Sequence, residues 1–122
     1  MYERSKIMNI SKSLLSAAFL FPGLALAHGT MQMSVPAANS TVKAMPEQIM
    51  LHFSEPTKIT AVSIAREGSK EKQDLKVPSD AKTMQTIAAP KLEPGVYVID
   101  WRGMSGDSHM IKGSVRFTLA GK

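Results

Sequence analysis

With 122 residues, 43% of them hydrophobic and none of them cysteine, the chain can build one domain around one modest core, without disulfides or thiolate metal ligands. That excludes cysteine-rich structural zinc and blue-copper electron transfer built on a cysteine ligand. The formal charge of +5 falls to +3 over residues 28–122, where it is scattered rather than clustered, so nucleic acid is not an expected partner.

Residues 1–27 read as a signal peptide. Arg4, Lys6 and Lys12 form a positive n-region, and Leu14 to Phe21 supply an apolar stretch interrupted only by Ser16. That stretch is well short of the ~20 residues that span a bilayer, which argues against a membrane anchor. Pro22-Gly23 breaks the segment, and Ala25-Leu26-Ala27 is the small-x-small pattern cut by a signal peptidase. Cleavage after Ala27 leaves residues 28–122 as an exported, soluble domain. It also makes His28 the first residue, with a free α-amine beside its own imidazole. Those two nitrogens can close a chelate ring on one metal ion, a donor pair that suits Cu(II).

The body of the chain reads as short strands separated by turns. Met31 to Val35 alternates and stops at Pro36, and Ala37-Ala38-Asn39-Ser40 is a turn before Val42. Ile49, Leu51 and Phe53 share one face of the next strand, which puts His52 on the opposite, solvent-facing side. Ser54-Glu55-Pro56 is expected to close that strand, because proline donates no ladder hydrogen bond. Ile59 to Ile64 is β-branched and strand-like. The polar stretch from Arg66 to Asp80, with only Leu75 and Val77 to bury, reads as a hairpin with an exposed loop. Thr83 to Ile87 forms another strand, Leu92-Glu93-Pro94-Gly95 a turn, and Val96 to Trp101 and Val115 to Leu119 the last two strands. No 3.6-residue period appears outside the leader. About seven short strands at this spacing predict an all-β fold, an antiparallel β-sandwich.

Between the last two strands lies W-R-G-M-S-G-D-S-H-M-I-K-G, Trp101 to Gly113. On extended backbone Asp107 and His109 point to the same side and can converge. Alone, the D-x-H spacing is a weak signal, because an acid and a histidine two apart in a loop are more often solvated polar residues. Joined by the amine and ring of His28, the two make a set of three nitrogens and one hard oxygen, which favours Cu(II) over tetrahedral zinc. Met31, Met33, Met104 and Met110 flank this site in sequence and suit either soft-metal ligation or gap filling, whereas Met50 and Met84 read as packing residues. There is no nucleophile-elbow serine, and the aromatic content is low for a deep substrate pocket, so hydrolytic catalysis has little support.

These residues resemble the CopC family of periplasmic copper-resistance proteins. The resemblance runs from Ala27-His28 through S-V-P-A-A-N-S-T-V at 34–42 and P-E-Q-I-M-L-H-F-S-E-P at 46–56. Its most specific block is Y-x-x-x-W-R-x-x-S-x-D-x-H at 97–109. It implies a Greek-key, immunoglobulin-like β-sandwich that binds Cu(II) through His28, Asp107 and His109, with the acid of the F-S-E block, Glu55, as a further candidate ligand. The family's partner is an inner-membrane copper-transport protein. Some members add a methionine-rich loop holding Cu(I). Residues 66–90 here contain only Met84, so a Cu(I) site of that kind is not expected. The reading is of a periplasmic, monomeric copper carrier or buffer rather than an enzyme. Its alternatives are a small copper oxidase with an N-terminal histidine site and a metal-free exported interaction module.

Overall fold

In the computed structural model the described residues are 30–121; the leader expected over 1–27 and His28 lie outside them. Seven strands follow in order: β1 (Met31–Val35), β2 (Thr41–Val42), β3 (Gln48–Arg66), β4 (Gln73–Asp74), β5 (Lys82–Ala88), β6 (Gly95–Ser105) and β7 (Met110–Leu119). No helix occurs among the described residues, and the strands form a β-sandwich.

The two layers share one strand. The first half of β3 pairs with β1 on one side and β5 on the other. Its second half, from Thr57 to Arg66, pairs with β6, and β4 adds at Ser63 and Ile64. β6 continues to β7, and β2 closes that layer through a parallel pairing with β7. The expectation that Pro56 ends a strand is therefore corrected. Backbone pairing runs through Gln48–Arg66, and Pro56 falls in the register shift between His52 and Thr57, where its missing N–H interrupts no ladder bond.

Alternation sets the core. Ile49, Leu51 and Phe53 from the first half of β3 meet Ile59, Val62 and Ile64 from the second half. Tyr97, Ile99 and Trp101 from β6 and Val115, Phe117 and Leu119 from β7 fill the space between. Burying each such side chain stabilises the fold by roughly 1.5–3 kcal/mol before the entropy of ordering it is subtracted. Phe53 and Trp101 touch edge to face across the layers, with centroids 5.1 Å apart. The Tyr97 hydroxyl donates to the Glu93 carbonyl four residues upstream, a tyrosine corner, and Arg66 lies over the Tyr97 ring.

Two contacts explain why particular residues stand where they do. Gly113 is the cross-strand partner of Trp101, and a Cβ placed there would come within 2.8 Å of the indole. Gly113→Ala is thus expected to displace the indole and cost about 1–3 kcal/mol, read by urea unfolding with the single tryptophan as fluorophore. Gln85, only 1% exposed, donates from Nε2 to the carbonyls of Thr57 (2.6 Å) and Asp80 (2.7 Å). It ties β5 to the point where β3 changes layers. Gln85→Leu leaves both carbonyls without this donor and should lower stability by about 1–3 kcal/mol, again by urea unfolding.

Candidate metal centre

The segment read as a loop is mostly strand. β6 runs to Ser105 and β7 begins at Met110, with Met104 opposite Met110, so the acid and the imidazole sit in a tight turn at the tip of a hairpin. The Ser108 amide donates to the Ser105 carbonyl and the Ser105 amide donates to the His109 carbonyl, both at 2.9 Å. Ser108 takes φ = 67°, the left-handed conformation that turns the chain back. Asp107 and His109 do converge, with Nδ1 of His109 2.9 Å from a carboxylate oxygen of Asp107. They converge through the turn, not through extended alternation.

Ser105 organises the pair from beneath. It is buried, and its hydroxyl donates to the other oxygen of Asp107. That hydrogen bond first, and the His109 ring second, hold the Asp107 carboxyl far below the usual carboxylate range. An N–H on Nδ1 directed at Asp107 is the tautomer that leaves the lone pair on Nε2. Serine is not a usual copper ligand, so residue-type reasoning passes over Ser105. The signal was nonetheless present in the S-x-D-x-H spacing, where the hydroxyl stands two residues before the acid.

Glu55 comes to the same turn from β3. Its Oε1 lies 3.5 Å from where a Cβ on Gly106 would sit, and its own carbonyl accepts from the buried Thr57 hydroxyl. Thr30 is held alongside: its amide donates to the Ser54 hydroxyl, and the Ser54 amide donates to the Thr30 carbonyl at 2.9 Å. The N-terminal end of the described chain is thereby fastened next to Glu55. Among the described residues no group of three His, Cys, Asp or Glu side chains is assembled for a metal ion. What the fold brings together is an acid–imidazole pair with a second carboxylate bordering its turn.

His52 points away from the core, as the alternation predicts, and is half-buried. Met84, read as a packing residue, is instead 39% exposed; Met33, Met104 and Met110 are exposed as well, whereas Met31 and Met45 pack against the core.

A CopC domain model matches residues 31–120. The chain belongs to the CopC family. It is 36% identical to copper resistance protein C of Escherichia coli, over 88% of this chain and 98% of that protein. The crystal structure of CopC from Methylosinus trichosporium OB3b superposes with a TM-score of 0.64 at 27% identity, covering 77% of this chain and 95% of that one. A copper transport protein of Bacillus subtilis, CutJ, is 27% identical over 87% of this chain, a segment that makes up 20% of its own length.

The sign of the Asp107 effect follows from its direction. A carboxyl that is more acidic folded than unfolded stabilises the turn above the unfolded value near ~3.9, and this contribution is lost as pH falls through the folded value. In metal-free protein the Asp107 carboxyl carbon should thus show no titration in the ordinary carboxylate range by NMR. In Ser105→Ala its midpoint should move up toward the ordinary 3.8.

Proposed function

We propose that the protein is a periplasmic Cu(II) carrier or buffer rather than an enzyme. Its metal would be held by the amine and ring of His28 with Asp107 and His109, and Glu55 stands near enough to join. Copper is the metal to which the chain's relatives point, by their names as copper resistance and copper transport proteins. The observation that carries the ligand set is the placing of Thr30. It is fastened beside Ser54 and Glu55, and a two-residue chain spans at most about 7 Å, which would let a mature terminus at His28 reach the hairpin tip.

The donor chemistry fits the cargo. An imidazole oriented by a carboxylate, one hard oxygen and an amine–imidazole chelate suit Cu(II), and the absence of cysteine removes competing thiolates. Ser105 keeps Asp107 anionic through the neutral and mildly acidic range. Acid release of the metal would therefore be governed by proton uptake on nitrogen, not on this oxygen. The CutJ match, in which a domain of this kind makes up one-fifth of a copper transport protein, supports delivery to an inner-membrane transporter as a separate partner. Residues 1–27 would be the leader that exports the domain, which would act as a monomer.

Protein beginning at His28 should bind one Cu(II) with a nitrogen-dominated paramagnetic resonance spectrum. Affinity should fall with pH as the amine and imidazole nitrogens take up protons. His109→Ala should weaken binding by more than ~100-fold, since changes beyond the ligands alone cost ~10–100-fold. One extra residue before His28 should also weaken binding and alter the spectrum. If the extended protein matched the parent in both respects, the amine would not be a ligand.

A further inference from the structure

A second group of donors lies on the other side of β3. His52 is directly opposite Met33 of β1 and directly opposite Met84 of β5. Both pairings are antiparallel, so the three side chains leave the sheet on the same face, with neighbouring Cβ atoms about 4.5–5.5 Å apart. The face is the outer one: Met33 is 57% exposed and Met84 39%, while Ser34, Leu51 and Gln85, the next residues along the three strands, are all buried inward. A methionine sulfur stands two bonds beyond its Cβ, so both thioethers can lean over the central ring from either side. The adjoining row on this face, Val35, Met50 and Thr86, carries no carboxylate.

We infer that Met33, His52 and Met84 form a surface site for a soft monovalent ion, Cu(I), separate from the hairpin tip. Two thioethers and one imidazole are donors that select Cu(I) over hard divalent ions, and Cu(I) accepts so low a coordination number. Exposed methionines elsewhere do not reproduce the arrangement: Met104 and Met110 pair across β6 and β7, but their neighbour on β3 is Lys58. His52 and Glu55 are three residues apart on β3, roughly 10 Å along the strand. Glu55 has the parity of inward-facing Phe53 and Thr57, so the two sites open on different sides of the sheet. The site uses neither His28 nor the D-x-H pair, and it stands or falls independently of the Cu(II) reading.

The test is an anaerobic titration of the His28–Lys122 protein with Cu(I) against a chromophoric chelator, and with Ag(I) as a redox-inert probe. Methionine methyl and histidine ring signals are followed by NMR. One equivalent of Ag(I) should shift the Met33 and Met84 methyls together with the His52 ring. The near-isosteric double variant Met33→Leu, Met84→Leu should bind Cu(I) at least tenfold more weakly while keeping the parent's Cu(II) spectrum. His52→Ala should weaken Cu(I) likewise and leave Cu(II) affinity within a few-fold. His109→Ala should do the reverse. Undiminished Cu(I) affinity in the double variant, or Ag(I) shifts confined to Met104 and Met110, would overturn the assignment.

Discussion

One strand belongs to both layers of this sandwich, and most of what is distinctive about the molecule follows from how it crosses. β3 leaves the β1–β5 layer after Phe53 and joins β6 from Thr57. Backbone groups at such a crossing cannot all find ladder partners, and a buried one left unpaired costs about as much as a lost hydrogen bond. The fold meets this locally. Pro56 brings no donor to the crossing, the Thr57 hydroxyl serves the Glu55 carbonyl, and the buried Gln85 amide serves the Thr57 carbonyl. Glu55 therefore stands at a fixed bend rather than on a mobile loop. The carboxylate bordering the hairpin tip is positioned by the same bonds that hold the two layers in register.

The hairpin tip shows the same economy in electrostatics. Asp107 accepts from Ser105 on one oxygen and faces the His109 ring with the other, so both oxygens are engaged once from within a five-residue turn. The pair is solvent-exposed, with 70% of the His109 side chain accessible, and Coulomb attraction alone would count for little there. Hydrogen-bond geometry, more than charge, sets the state of the acid. An acid–imidazole pair placed this way is preorganised yet accessible, which suits the carrier role proposed for it.

β3 also separates two kinds of donor. Its inward parity at the bend presents a carboxylate toward the turn that holds Asp107 and His109, and its outward parity three residues earlier places an imidazole between two thioethers. Hard and soft donors thus lie on one strand without mixing. The two proposed sites would gain from that separation, since neither set of donors would complete the other's coordination shell.

Much of the fold was legible from residue order alone. Alternation in Ile49-Leu51-Phe53, Tyr97-Ile99-Trp101 and Val115-Phe117-Leu119 set the buried faces, because side-chain direction in a strand has a period of two whatever the strand pairs with. The convergence of Asp107 and His109 was likewise a local matter, decided within five residues, although the turn that produces it was not foreseen. Tertiary structure alone decided three things: that β3 passes through Pro56 into a second layer, that Gln85 is buried beneath the bend, and that Met33 and Met84 flank His52. Each depends on which residues of distant strands stand opposite one another. Registry is chosen by the packing of the whole core and by loop geometry, so it is written in no single segment.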